Sequence, residues 1–362
     1  MKKTLIALAA VAATGAAFAQ STVTISGILD VGVKNVSKVA AGAATTSVGS
    51  GNNNRVAFGV SEDLGGGLKA LANAQMRFDP ATGTTEAANG RPLFQGETRV
   101  GLAGGFGTVM LGRGLTALQL PNGGNSDPWG VTTVGGSVYA AGFATDYAAG
   151  GEGRIDGALF YTSPSFNGLT LSASMSPRKI VTAGVASKTH QSINGTYAAG
   201  NLVVGLGNER NRANDTITQV YGNYNLGVAK VFASSATIKG GSIAEKAAAG
   251  TFAAAASAVN SGNGAVGPVA AGGKIDNWTI GATVPMGAAT IRAGYSVWNG
   301  NGAPGQLDDN KFGLGVKYDL SKRTFIYTDV ATQTRKNNTG TAADGKDNTK
   351  VNSFDLGVAH SF

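Results

Sequence analysis

The sequence predicts an all-β fold: a transmembrane antiparallel β-barrel of sixteen strands with long outer loops and short periplasmic turns. Three observations predict it. Apolar and polar residues alternate with a period of two in segments of about ten residues, the length that a tilted membrane-spanning strand needs. Sixteen such segments can be counted, and an even number suits a closed barrel. The connections between them alternate between tight glycine-containing turns and much longer polar stretches. Composition agrees, with 56 Gly among 362 residues, 14% charged residues and no Cys. Glycine at that level works against helices, at about 1 kcal/mol per interior position relative to Ala. The missing cysteines exclude a disulfide scaffold and a thiolate metal site.

The chain opens with Lys2 and Lys3, a compact apolar core from Leu5 to Ala13, and the small-x-small pattern Ala17-Phe18-Ala19. This is the pattern of a secretory signal peptide over residues 1–19, leaving residues 20–362 as the barrel domain. Beyond it no run of about 18 apolar residues occurs, so membrane residence has to come from strands. In the first strand Val23, Ile25, Leu29, Val31 and Val33 alternate with Thr24, Ser26, Asp30 and Lys34. The same reading recurs at Trp278 to Val284, Ile291 to Val297 and Phe312 to Tyr318. Segments begin near residues 23, 54, 68, 97, 107, 154, 169, 188, 202, 215, 228, 276, 289, 309, 324 and 352. Tight turns are expected at Asp63 to Gly67, Gly104 to Phe106, Asn225 to Gly227 and Asp319 to Arg323. Long loops are expected at Ser37 to Asn53, Asp79 to Gly96, Gly114 to Gly153, Gly240 to Lys274 and Lys336 to Lys350. A secreted sandwich or propeller would also alternate, but its connections have no reason to alternate in length.

Alternation assigns the faces. Val56, Phe58 and Val60 face lipid, which turns Arg55 to the lumen. Thr98, Val100 and Leu102 do the same for Arg99, and Met76 and Phe78 for Arg77 and Lys69. Ile155, Leu159 and Tyr161, taken as one lipid face, turn Arg154 inward. A cation at the bilayer midplane of such a barrel costs about 2–4 kcal/mol, so inward placement has an energetic reason. Arginine stays ionised and presents a fixed fork suited to carboxylate and phosphate. The third long loop, Gly114 to Gly153, offers Asp127, Asp146 and Glu152 as acids. Asp127, before Pro128, either faces the pore or serves as an Asx-turn residue.

Specific stretches carry a family resemblance: VTISGILDVGV at Val23 to Val33, RVAFGVSEDLGGGLKA at Arg55 to Ala70, ETRVGLAGGFGTVMLGRG at Glu97 to Gly114, FYTSPSFNGL at Phe160 to Leu169, YDLSKRTFIY at Tyr318 to Tyr327 and FDLGVAHSF at Phe354 to Phe362. The chain resembles the general porins of Gram-negative outer membranes, in the form typical of Neisseria and other beta-proteobacteria. The resemblance implies a homotrimer of sixteen-stranded barrels, each with a water-filled pore narrowed by the third loop folding inward. It implies that Arg55, Arg99 and Arg154 form a basic ladder opposite that loop, and that Phe362 is a recognition signal for the barrel-assembly machinery. The implied surroundings are outer-membrane lipid and lipopolysaccharide, and the implied cargo is small anions and other hydrophilic solutes.

The expected function is passive diffusion through an outer-membrane channel that prefers anions. The alternatives are a substrate-specific channel and a structural or adhesive barrel. No enzyme is expected, since the only histidines are His190 and His360 and no nucleophile-elbow spacing occurs. No cofactor or metal motif is found, and the net charge of +8 is too dispersed for a nucleic-acid surface.

Overall fold

The computed structural model describes residues 21–37, 46–52, 54–85, 93–130, 132–136, 154–177, 181–182, 185–241, 272–300, 307–337 and 347–362. The expected signal peptide lies outside these, as do most of the expected loops Gly240 to Lys274 and Lys336 to Lys350.

Sixteen strands form the barrel. They are β1 (Thr22–Val36), β2 (Arg55–Gly65), β3 (Leu68–Arg77), β4 (Glu97–Gly104), β5 (Gly107–Leu115), β6 (Arg154–Thr162), β7 (Leu169–Ser176) and β8 (His190–Ala199). The ring continues with β9 (Leu202–Arg210), β10 (Thr216–Asn225), β11 (Lys230–Lys239), β12 (Lys274–Met286), β13 (Ala289–Gly300), β14 (Leu307–Asp319), β15 (Thr324–Asn337) and β16 (Asp347–Ser361). Each pairs antiparallel with its sequence neighbours, and β1 pairs with β16, so the sheet has no open edge. Closure matters in lipid, where an unpaired strand edge has no water to satisfy it.

The closing seam reaches the last residue. Gly27 N–H donates to the Phe362 carbonyl at 3.0 Å and Phe362 N–H donates back at 3.1 Å. Beyond the expected strands, Thr46–Gly49 within the first loop pairs with Gly32 to Asn35 of β1. A two-residue hairpin, Val181–Thr182 with Val185–Ala186, stands apart from the barrel sheet. A helix of about two turns, α1 (Gln119–Ser126), follows β5. Pro121 is tolerated there because the first turn of a helix has no partners for its N–H groups.

The two faces of the sheet differ as the alternation requires. Leu29, Val33, Phe58, Val100, Leu111, Leu206, Val220, Ile280, Leu314 and Leu356 are exposed on one face. Asp30, Ser174, Asn194, Gln219, Thr279, Arg292, Asp329 and Asp355 are buried on the other. A water-soluble sheet would show the opposite distribution, so the apolar face is the lipid face. Among the described residues no helix is long and apolar enough to cross a membrane, and the strands do the spanning.

Candidate functional site

After β5 the chain runs along the polar face of the sheet. At its start the Thr116 hydroxyl donates to Glu209 Oε2 at 2.6 Å, and Glu209 Oε1 lies 3.2 Å from His190 Nε2, with both side chains fully buried. Ala117 and Leu118 N–H groups donate to the Ser174 and Ser192 hydroxyls, both at 3.0 Å. Leu118 then enters a buried cluster with Ile217, Tyr221, Ala236, Ile238, Ile275 and Trp298, contributed by β10 to β13. Helix α1 continues past β9, β10 and β11, where Asn223 Nδ2 donates to Asn125 Oδ1 at 3.1 Å.

Past α1, Asp127 closes a local turn by accepting the Trp129 N–H at 3.0 Å. That bond is the contact of an Asx turn. Pro128 stacks beside Gly281 and Trp129 beside Gly294. The Trp129 indole donates to Asp329 Oδ1 at 2.7 Å, and Arg292 sits 5.5 Å from the indole ring while donating to both Asp329 oxygens at 3.0 and 3.1 Å. Farther on, Val134 N–H donates to Asp355 Oδ2 at 2.9 Å and Thr133 N–H to the Gly51 carbonyl at 2.9 Å.

These anchors stand on one register row. Lys34 of β1 pairs with Asp355 of β16, Asp355 with Asp329 of β15, Asp329 with Gly315 of β14, and Gly315 with Arg292 of β13. Two adjacent carboxylates are thus flanked by a cation on each side, and the row is electrically balanced. Gly315 makes the reach possible, because a Cβ there would collide with Asp329 Oδ1. Near this row Tyr327 donates to Asp30 Oδ1 at 2.8 Å. Alternation placed Asp30 on the polar face, and nothing local singled out Asp329 and Asp355.

The basic side is on β2 to β5. Arg55 and Arg77 are direct cross-strand partners, and Arg99 pairs with Asn73 on the next strand. Arg99 forms an ion pair with Glu97 at 2.6 Å, lies 5.2 Å from the Phe160 ring and crosses beside Gly114. Glu97 also accepts from Asn73 Nδ2 at 2.7 Å. Arg113, which sequence reading passed over, pairs with Asp156 and donates to the Gln95 carbonyl at 2.9 Å. Arg99 and Arg113 thus each pair with a carboxylate, Glu97 and Asp156. Like charges directly opposed across a sheet are destabilising, so the Arg55–Arg77 pairing is held against its own repulsion.

One expected site residue sits elsewhere, and another loses the argument that faced it inward. Lys69 is exposed beside the tight turn, opposite Asp63 and eight positions along β3 from Arg77, about 26 Å along a strand. The alternation argument for Arg154 fails at a bulge: the β5–β6 register shifts between Gly112 and Gly114, where Gly157 takes φ +56°. The extra residue reverses the facing, so Ile155 is fully buried with Met110, Ala158 and Phe160, not exposed with Leu159 and Tyr161. Asp146 and Glu152 lie outside the described residues. Another residue without a local signal is Arg212, in the turn after β9, which donates to the Ser176 hydroxyl at 2.6 Å. Burial lowers its pKa to about 10, still charged at neutral pH. Among the described residues no three His, Asp or Glu side chains are grouped to hold a metal.

Residues 4–338 match the model of the Gram-negative porin family. The chain belongs to that family. As a porin it is an outer-membrane protein forming a channel for passive diffusion, and family and fold point to a channel and not to an enzyme. The porin is similar to outer membrane porin protein 32 of Delftia acidovorans, 29% identical over 91% of this chain and 89% of that one. It is also similar to the major outer membrane protein P.IB of Neisseria meningitidis serogroup B, 34% identical over 47% of this chain and 48% of that one. Among solved structures the porin matches an anion-selective porin from Comamonas acidovorans with a TM-score of 0.74, at 23% identity, covering 95% of this chain and all of the other.

Proposed function

We propose that this porin is a general diffusion channel for small hydrophilic solutes with a preference for anions, in which residues 116–136 are the third loop folded into the lumen. In this reading the loop narrows the pore along β7 to β16, and the wall at β2 to β4 presents Arg55 and Arg99 to passing solute, with Arg77 buried beside Arg55. Loop and arginine wall then face one another across the constriction. Charge at a narrow point acts directly on permeating ions. The reading further takes residues 1–19 as a signal peptide, Phe362 as the assembly signal and the working form as a homotrimer, as the family resemblance implies.

The observation that carries the anion preference is the direct opposition of Arg55 and Arg77 across β2 and β3, with Arg99 on the next strand. The likeness to the anion-selective porin from Comamonas acidovorans supports it. The test is the zero-current potential of the purified protein in a planar bilayer under a salt gradient. Anion preference is expected for the wild type, and cation preference for the Arg55→Glu, Arg77→Glu, Arg99→Glu variant. An unchanged potential in that variant overturns the assignment.

A further inference from the structure

His190, the first residue of β8, and Glu209, near the end of β9, are both fully buried, so neither touches a passing solute. Burying a carboxylate costs free energy unless it is paired and hydrogen-bonded. Both Glu209 oxygens are engaged: Oε2 accepts from the Thr116 hydroxyl at 2.6 Å, and Oε1 lies 3.2 Å from His190 Nε2. Thr116 passes the contact on to the helix. Its hydroxyl accepts the N–H of Gln119, the first residue of α1, at 3.2 Å, and its carbonyl accepts the Leu120 N–H at 3.0 Å. One carboxylate therefore holds the point at which the chain leaves β5 for α1.

This pair has no place for an added proton. The second imidazole nitrogen, Nδ1, is buried without a hydrogen-bond partner among the described residues, so an N–H formed there has no acceptor. A proton on Glu209 Oε2 instead removes the acceptor of the Thr116 hydroxyl. Either placement leaves a buried donor unsatisfied, which costs more than the bond itself contributes. The arrangement that satisfies most of these atoms is an ionised Glu209 accepting from the Nε2–H of a neutral His190, a tautomer assigned from the bonds.

Neighbouring charges supply no remedy. Ser176 of β7 is the cross-strand partner of His190, and its hydroxyl accepts from Arg212 Nη2 at 2.6 Å while donating to the Asp156 carbonyl at 2.8 Å. The Asp156 carboxylate pairs with Arg113, and Asp215 is held by Asn211 Nδ2 and the Gly241 N–H, both at 2.9 Å. Lys188 N–H donates to the Arg212 carbonyl at 3.0 Å. An imidazolium here has Glu209 on one side and the Arg212 cation beyond Ser176 on the other.

We propose that His190 and Glu209 are positioning residues for the constriction loop and form its acid-sensitive root, where proton uptake releases Thr116 and with it α1. This rests on the reading of residues 116–136 as the loop that narrows the pore. The anchored root binds fewer protons than the released one, so anchoring is favoured at higher pH and lost as pH falls.

Single-channel recording of the full-length purified protein in planar bilayers tests this. One proton taken up on release changes the ratio of anchored to released loop by at most about tenfold per pH unit. Brief closures of the wild-type channel should become at least about fivefold more frequent between about pH 8 and about pH 5, the range in which imidazole changes charge. His190→Gln and Glu209→Gln each keep a hydrogen-bonding group in place and should flatten that response. His360→Gln, at the chain's other histidine, should keep it. Thr116→Val should close often at both pH values and Thr116→Ser should behave like the wild type, with heat-modifiable mobility showing that each variant is folded. Replacing residues 118–134 by a short Gly-Ser link should raise conductance and abolish the response. Equal closure frequencies at both pH values in the wild type, or an undiminished response in either Gln variant, overturn the proposal even where the loop replacement raises conductance. A loop replacement that leaves conductance unchanged overturns the reading beneath it.

Discussion

Trp129 and Asp329, 200 residues apart in the chain, are joined by a 2.7 Å hydrogen bond from the indole N–H to a carboxylate that also binds Arg292. One carboxylate thus serves both the barrel wall and the segment lying on it. Replacing Asp329 by Ala leaves the Arg292 guanidinium buried without its partner, a change that costs about 3–5 kcal/mol in comparable sites. Trp129→Phe leaves a carboxylate with one donor fewer, about 1–3 kcal/mol. Both should lower the denaturation midpoint of the refolded barrel, measured by heat-shifted gel mobility and denaturant titration. Because the two groups share one partner, the double variant should lose less than the sum. Strict additivity would show that they act independently.

Gly315 predicts a second route to the same defect. A methyl group at this position has no room beside Asp329 Oδ1, so Gly315→Ala should push the carboxylate off Arg292 and Trp129. Destabilisation should match that of Asp329→Asn, together with noisier single-channel currents as the loop anchor weakens. Wild-type stability and quiet channels in Gly315→Ala would count against the shared seat.

Removing the segment itself reports on pore size. Replacing residues 118–134 by a short Gly-Ser link should raise both the single-channel conductance and the solute size limit in liposome swelling. Should both stay at wild-type values, the segment does not narrow the pore.

Salt should reveal where the selective charge sits. The effect of reversing Arg55, Arg77 and Arg99 should be largest at 0.1 M salt and shrink toward 1 M, as the screening length falls from about 10 Å to about 3 Å. Reversal of Lys188, Lys336 and Lys346 should shift the zero-current potential much less. Equal shifts from the two triple variants would make overall charge, and not the arginine wall, the determinant.

At the closing seam, the Phe362 ring occupies the space that a side chain at position 27 would need. Gly27→Val should therefore slow barrel closure, and deletion of Phe362 should lower the yield of heat-modifiable protein more strongly, since it removes both the outward aromatic and two backbone hydrogen bonds. Pulse-labelling of assembly in cells measures this. Normal closure in both variants would rule out a role for the terminal residue.

The sequence by itself determined the strands and their faces. The sixteen expected starts fall on or close to the sixteen barrel strands, because a half-buried strand writes its period of two into consecutive residues. Arg55, Arg77 and Arg99 were legible for the same local reason. The tertiary structure decided what local pattern cannot carry. It placed Lys34, Asp355, Asp329 and Arg292 on one row, because register between strands joins residues that are far apart in the chain. It set Trp129 against that row, because a loop's path depends on which wall offers acceptors and space. It also turned Ile155 inward, since one extra residue in a bulge reverses every facing beyond it, and no count of alternating residues reveals where the partner strand stops keeping step.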